Sequence, residues 1–206
     1  VRGIFCEKPV GLDGSEIDQI EAVCAKHGVK LAVAHQRRHL ASFQTVRRLI
    51  AEGRFGEKIV LHARLGDDWD MLSWAIHWFD MANYLLDAHP GWVLAGVHHD
   101  GERRYGHAVE SASIVFAEYS EERQAIFTTG PNPLIDFGFM IEGERALGRM
   151  RDDGLYLYRD ETVEKVPFPE AGHTLTENYG DAFRELGDAV ATGAPMLCGI
   201  ENTAMA

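Results

Sequence analysis

The sequence has few cysteines, and their positions fit neither a disulfide framework nor a zinc site. Only three occur in 206 residues, Cys6, Cys24 and Cys198, and they form no CxxC or Cys/His ligand pattern. A small, odd and scattered set is typical of reduced core thiols, so we expect a cytoplasmic protein. The pair His98-His99 beside Asp100 fits a turn after a strand, and no metal site is predicted.

Long apolar runs and an excess of positive charge are also missing. The apolar runs are a handful of residues long, far short of a membrane span, and no signal-peptide pattern precedes the first strand. With 20 Lys and Arg against 32 Asp and Glu, the formal net charge is −12. This charge disfavours nucleic acid and anionic membranes as partners. A local basic patch, suited to an anionic group, contains Arg37, Arg38, Arg47 and Arg48.

The sequence contains no GxGxxG segment, although its start has the pattern that often accompanies one. An apolar segment ends in Cys6-Glu7-Lys8-Pro9, a helix capped by Ser15 ends at Gly28, and a second apolar segment covers 30–35. Strand, helix and strand at this spacing predict a βαβ unit with a parallel pair. Since no phosphate-binding loop is present, we expect that half of a dinucleotide fold to lie outside this chain.

The pattern changes after Gly56, where strands begin to dominate. One helix is predicted around 43–50 before this point, a strand over Ile59–Leu65 and a helix over Met71–Leu86 after it, and a last helix from Thr176. Further strands are predicted at Trp92–His98, Ala112–Tyr119, Gln124–Thr129, Phe137–Glu142 and Leu155–Tyr158. The fold class is therefore α/β followed by α+β: the tail of a Rossmann-type parallel sheet, then a mostly antiparallel open sheet with helices on one face. The predicted domains are 1–55 and 56–206.

Four segments occur in an order and spacing that resemble one enzyme family. EKP follows the first strand, AHQRRH the second, LIAEGRFGEKI leads into a third strand, and a helix carries HWFD. From Phe5 to about Thr203 the chain resembles the Gfo/Idh/MocA oxidoreductases, which are NAD(P)-dependent dehydrogenases of sugars, cyclitols and related polyols. The resemblance implies NAD or NADP as cofactor, a small-molecule sugar or polyol substrate, and a homodimer or homotetramer formed through the open sheet.

Hydride transfer from a polyol needs a proton acceptor, and the resemblance suggests which residues supply it. The hydroxyl next to the reacting C–H must lose its proton, so the site needs a base and a cation near the developing alkoxide. Lys8 matches the lysine of the EKP motif and would contact both the nicotinamide ribose and the substrate hydroxyl. His77 matches the histidine of the second motif and would accept or relay the proton. The structural alternatives are a solvated strand end for Lys8 and a packed histidine for His77.

The remaining candidates lie close to these two residues in the sequence. The resemblance assigns cofactor binding to Glu7, Lys8, Pro9 and Gln36. The substrate-binding candidates are Arg37, which the resemblance suggests, and Asp70, Ser73, Trp74 and Asp80, which lie near His77. Arg37 would contact the substrate or cofactor, and Asp80 would fix the helix or orient His77. Trp69 and Trp74 either stack on a sugar ring or belong to the core.

The sequence departs from the family at Ser73. Family members usually have an acid four residues before the histidine, and here a hydroxyl takes its place. Helical spacing puts Asp70, Ser73, His77 and Asp80 roughly along one stripe, so Asp70 could supply the carboxylate or simply cap the helix.

Two other functions stay open. One is an NAD-using glycosidase or dehydratase on the same scaffold, and the other is a non-catalytic binding or assembly module that has lost the acid at residue 73. For assembly, the strands that carry Ile114, Phe116, Ile126 and Phe139 could build an uncovered sheet face. The pattern does not show which of these four side chains point to that face.

Overall fold

The chain folds into two compact units. The computed structural model describes residues 1–66, 70–104, 106–131, 138–169 and 175–203. Val1–Gln44 and Pro169–Ala206 form the first unit, and Thr45–Phe168 form the second. In these described ranges no helix has the length and apolar character needed to cross a membrane.

The first unit begins with the predicted βαβ pattern. Strand β1 (Gly3–Cys6) and strand β2 (Lys30–Val33) are parallel neighbours joined through helix α1 (Gly14–His27). The predicted cap at Ser15 is wrong, because Asp13 caps α1 and its Oδ1 accepts from the Glu16 N–H at 3.0 Å. Gly28 ends the helix as predicted, with the left-handed φ of 63° that glycine adopts without strain.

The C-terminal segment packs on these two strands. A 3₁₀ turn (Gln36–His39) follows β2, and helices α4 (Leu175–Thr192) and α5 (Ile200–Thr203) complete the unit. One apolar cluster joins them, formed by Ala32, Ala189 and Met196 with Phe5 and Leu186 against it.

This packing divides the chain differently from the predicted boundary at residues 55 and 56. The Arg38 guanidinium donates to the carbonyls of Leu197 at 3.1 Å and Asn202 at 2.9 Å, so the end of the chain is bonded to the turn after β2. Helix α2 (Ala41–Ala51) contains the division between the two units. The functional assignment of 1–55 and 56–206 stays a prediction.

The second unit is built on one large sheet. Its described elements are β3 (Ile59–Arg64), a π turn (Met71–Ala75), α3 (Ile76–Leu86), β4 (Trp92–His98), β5 (Arg103–Arg104), β6 (His107–Ala108), β7 (Ala112–Glu118), β8 (Arg123–Thr129), β9 (Gly138–Gly143), β10 (Leu147–Arg151), β11 (Gly154–Arg159) and β12 (Thr162–Pro167). Eight strands form the sheet in the order β12-β11-β10-β9-β3-β8-β7-β4, and β5 and β6 form a separate small hairpin.

The pairing in the large sheet is antiparallel except between β3 and β8, which confirms the predicted fold class. The sequence pattern missed β10 and β12. Every residue of β12 is exposed except one, so no buried face gives it an alternating pattern, and β10 carries two arginines and a glycine in five residues.

The sheet has one covered face and one open face. Trp78 and Phe79 of α3 pack on the covered face, stacking on Phe139 at 5.7 Å and meeting Phe127 edge-on at 4.9 Å. The sequence left open which of the four apolar side chains point to the open face, and Phe139 does not: it is 4% exposed and points to the helix. Ile114 does lie on the open face and is 55% exposed.

Candidate functional site

The carboxyl ends of β1 and β2 bring the EKP segment and the turn after β2 to the same edge. Cys6 is paired with Val33, and the next residue on the second strand, Ala34, donates its N–H to the Cys6 carbonyl at 2.8 Å. Glu7 and Lys8 therefore leave this edge beside the chain that enters the 3₁₀ turn. The Lys8–Pro9 peptide bond is cis. Glu7 and Pro9 are exposed, and Lys8 is half-buried.

A tyrosine from α4 joins this edge. The Tyr179 hydroxyl donates to Glu7 Oε1 at 3.1 Å, and its ring lies 6.2 Å from that of Phe5. Partial burial and then the nearby Glu7 carboxylate raise the pKa of Tyr179 above its usual value. Burial lowers the pKa of Arg37, while the electrostatic interaction with Tyr179 opposes this shift. Glu7, Tyr179 and Arg37 thus form one charged and hydrogen-bonded group.

Two amide side chains in the first unit are buried with unused hydrogen-bonding atoms. Gln36 is 4% exposed and Asn178 is 0% exposed. Gln36 Oε1 and both polar atoms of the Asn178 amide have no hydrogen-bond partner in the described part of the chain. Since an unsatisfied buried amide is costly, these atoms fit a site that receives a polar ligand or an ordered water. Of the two, only Gln36 was predicted from the sequence.

Asp70 opens the helical segment of the second unit that carries the other candidates. It caps the π turn, where its Oδ1 accepts from the Ser73 N–H at 2.7 Å. Its backbone carbonyl accepts from Trp74 at 3.1 Å and from Ala75 at 2.9 Å. The carboxylate is 2% exposed, and Oδ2 has no hydrogen-bond partner in the described ranges. Because a π turn separates Asp70 from α3, the predicted stripe does not follow one regular α-helix.

His77 and Asp80 both lie inside α3 and are buried. His77 is 4% exposed and Asp80 is 0% exposed. Burial and then the charge of Asp80 raise the pKa of Tyr119 on the adjacent sheet. The Tyr119 hydroxyl donates to Asn83 Oδ1 at 2.7 Å. Asp80 therefore faces a polar group made with Tyr119 and Asn83, which the sequence prediction did not include.

The other predicted substrate contacts are more accessible. Trp74 is 40% exposed, which agrees better with a ligand contact than with a core position, and Ser73 is half-buried. Trp69 lies outside the described residues. The candidates of the first unit are Glu7, Lys8, Pro9, Gln36 and Arg37, and those of the second are Asp70, Ser73, Trp74, His77 and Asp80.

A pocket of about 330 Å³ lies on the open face of the second unit, away from α3. Its lining includes His62, Arg64, Thr128, Met140 and Arg149, and none of the sequence-predicted site residues is among its described lining residues. We do not assign it to the reaction, because the resemblance places the chemistry on the residues of α3 and of the EKP segment.

The residues that sequence reasoning missed share a long separation along the chain. Tyr179 bonds to Glu7 across 172 positions, and Tyr119 bonds to Asn83 across 36 positions. The sequence pattern places Tyr179 on the predicted last helix, which begins at Thr176, and assigns it no contact. No local pattern marks such contacts, because the first forms only when α4 packs beside β1 and the second only when α3 packs on the large sheet.

Comparison with known proteins identifies relatives among oxidoreductases. No protein-family model matches the chain. The chain is 29% identical to inositol 2-dehydrogenase of Rhizobium meliloti over 212 residues, covering 94% of this chain and 64% of that protein. It is 26% identical to 2,7-anhydro-N-acetylneuraminate hydratase of Mediterraneibacter gnavus over 146 residues, covering 62% of this chain and 38% of that protein.

A solved structure shows the same fold. An oxidoreductase from Agrobacterium radiobacter, crystallised with NAD⁺, L-tartaric acid and magnesium, superposes with a TM-score of 0.72 at 15% identity, covering 97% of this chain and 66% of that one. The chain thus spans less than two thirds of the length of each of these three proteins. These comparisons agree with the resemblance to the Gfo/Idh/MocA oxidoreductases: the chain is similar in sequence to an inositol 2-dehydrogenase and shares the fold of a solved oxidoreductase.

Proposed function

We propose that the protein is an NAD(P)-dependent oxidoreductase that acts on a sugar, a cyclitol or a related polyol. The relative that aligns with 94% of the chain is an inositol 2-dehydrogenase, which supports the substrate class. The solved oxidoreductase with NAD⁺ bound supports a nicotinamide cofactor.

The observation that carries this proposal is the polar edge at the carboxyl ends of β1 and β2. Ligands of parallel α/β sheets bind at this edge. Here it presents Glu7, Lys8 and Arg37, with buried Gln36 in the adjoining turn. The unused Gln36 Oε1 fits a polar group of a nicotinamide cofactor. Glu7, Lys8, Pro9 and Gln36 would hold that end of the cofactor.

The bound cofactor would supply the hydride acceptor, and the residues of this chain would manage the proton. Lys8 carries a positive charge that favours the developing alkoxide and can hold a proton at Nζ. His77 can take up or pass on a proton at an imidazole nitrogen, in a site where burial excludes water. Arg37, Ser73 and Trp74 would bind and orient the hydroxyl-rich substrate.

The test is a steady-state assay of the full gene product that contains these residues, with both cofactors and a panel of inositols and sugars. Lys8→Met keeps the length of the side chain and removes its charge. It should lower kcat/KM by about 10²-fold or more, while affinity for the cofactor stays within about tenfold. Lys26→Met, in the last turn of α1, is the matched control and should leave both values unchanged. Wild-type turnover in Lys8→Met would remove Lys8 from the reaction.

A second candidate function is lyase or hydratase chemistry on the same scaffold. The relationship to 2,7-anhydro-N-acetylneuraminate hydratase favours it specifically. The two functions differ in whether added cofactor is consumed: a dehydrogenase converts NAD(P) in proportion to product, whereas a hydratase would form product with no net change in the nicotinamide absorbance.

We also propose that the protein assembles as a homodimer or homotetramer through the open face of the sheet. Trp92 and Leu94 of the edge strand β4 are exposed, and Ile114 of the neighbouring strand is exposed on the same face, since the pairing partners Glu118 and Phe116 share the face of Ile114. A group of adjacent exposed apolar side chains of this kind supports a protein–protein contact.

A further inference from the structure

Three side chains of types that ligate metals meet in the first unit, at the turn that also carries Gln36 and Arg37. His39 lies at the end of the 3₁₀ turn, Glu185 lies in α4, and Cys198 follows that helix. Their ligand atoms all lie within 4.8 Å of one another. The side chains of His39 and Glu185 are 12% and 19% exposed, so an ion could enter, and Cys198 is fully buried.

The spacing of these atoms suits ligands of one ion better than a hydrogen bond. His39 Nε2 pairs with Glu185 Oε2 at 3.5 Å, a separation long for a hydrogen bond, and this buried nitrogen has no closer partner in the described chain. Nitrogen and oxygen ligands lie about 2.0–2.2 Å from zinc, and at a tetrahedral angle two of them are therefore about 3.4 Å apart.

The surrounding contacts hold the ligands in place. Glu185 Oε1 accepts from the Leu197 N–H at 2.6 Å, and Oε2 accepts from the Cys198 N–H at 3.2 Å. Each carboxylate oxygen keeps a further lone pair for a metal, and such outer bonds fix the orientation of a ligand. The Cys198 thiol donates to the His35 carbonyl at 3.4 Å, and this proton is the one that a metal would displace.

We propose that His39, Glu185 and Cys198 bind a divalent transition-metal ion such as Zn²⁺, with water as the fourth ligand. One nitrogen, one oxygen and one sulfur ligand form a set that zinc accepts. Binding forms a metal–thiolate bond and releases the thiol proton to solvent. The charges of Glu185 and the Cys198 thiolate then balance those of the ion, which favours its burial. The ion links helix α4 to the turn in which Gln36 and Arg37 lie.

Cobalt titration of the metal-free chain tests this proposal, because Co²⁺ occupies zinc sites and absorbs light. We expect binding of one Co²⁺ per chain with a thiolate-to-cobalt charge-transfer band, which added Zn²⁺ removes. Cys198→Ser should abolish the band, and His39→Gln should weaken Co²⁺ binding about tenfold or more. The matched controls are Cys24→Ser, a buried thiol of α1, and His27→Gln at the end of the same helix. Both should retain the band and the affinity.

Three results would overturn the proposal. The first is the absence of a charge-transfer band in the wild-type chain at saturating Co²⁺. The second is a band that survives in Cys198→Ser or disappears in Cys24→Ser. The third is unchanged Co²⁺ affinity in His39→Gln, a partly exposed position whose replacement the fold should tolerate. Circular dichroism of each variant establishes that it is folded before titration.

Discussion

Asp70 has a structural contact and a candidate chemical role, and two substitutions separate them. Its Oδ1 accepts from the Ser73 N–H at 2.7 Å, whereas its buried Oδ2 has no hydrogen-bond partner among the described residues. Asp70→Asn keeps an oxygen that can serve as the cap and removes the negative charge. Asp70→Ala removes both.

The two variants should differ in stability. An asparagine is as good a cap as an aspartate, so Asp70→Asn should change the free energy of unfolding by no more than about 1 kcal/mol. Asp70→Ala leaves the Ser73 N–H without its acceptor and should cost about 1–3 kcal/mol. Urea denaturation followed by circular dichroism measures both values. Equal losses in the two variants would refute the assignment of Asp70 as a cap.

The same variants test the proton relay in the full gene product. If the Asp70 carboxylate replaces the acid missing at residue 73, Asp70→Asn should lower kcat/KM by about 10²-fold or more at nearly unchanged stability. Adding Ser73→Asp to this variant should restore part of the rate, since it returns a carboxylate to the family's position. Asp87→Asn, at the other end of α3, is the control and should remain active. Full activity of Asp70→Asn would exclude its carboxylate from the relay.

Three further outcomes are expected. Burial raises the pKa of Tyr119, so the free energy of unfolding should fall above the usual tyrosine pKa of 10.0, by up to about 1.4 kcal/mol per pH unit. Denaturation of Tyr119→Phe should not show this loss. The same pH dependence of stability in the wild type and the variant would contradict the burial of the hydroxyl. Ile114→Glu should dissociate the oligomer in light scattering while Val23→Glu, an exposed position on α1, does not; a monomeric wild type would exclude the assembly. Gly143→Ala would place a Cβ 2.4 Å from the Phe55 carbonyl oxygen and should cost about 1–3 kcal/mol, whereas Gly187→Ala has open space and should be neutral or stabilising.

The sequence predicted the regular elements well where apolar residues recur with a fixed period. Strand β3 alternates buried and half-buried residues. Strand β4 is exposed throughout and has the predicted bounds, Trp92–His98, because its residues form a nearly continuous apolar run. The pattern failed where the period is weak or where a feature depends on distant parts of the chain. Strand β12 has neither a buried face nor an apolar run. The face on which the Phe139 side chain lies becomes the buried one only because α3 covers that side of the sheet.

The candidate residues show the same division. Lys8 and His77 were predicted because their motifs are local and match a family. Tyr179 contacts Glu7 across 172 positions. The cluster brings His39 to Glu185 and Cys198, which lie more than a hundred positions further along the chain. Spacing along the sequence does not predict such contacts, because they form only when α4 packs against β1, β2 and the 3₁₀ turn.

The cap at Asp70 bears on whether the serine at residue 73 argues against catalysis. Replacing the family's acid by Ser73 removes a carboxyl group at that position. The Asp70 side chain accepts from the Ser73 N–H at 2.7 Å, as an N-cap does, so a buried carboxyl group lies against residue 73 despite the change in sequence. A helix cap needs only one acceptor oxygen. Burying the second oxygen without a hydrogen-bond partner costs free energy, and Asp70 is only 2% exposed. The burial of that unused oxygen fits a carboxylate that meets a polar ligand or an ordered water, and the kcat/KM of Asp70→Asn tests whether it takes part in the reaction.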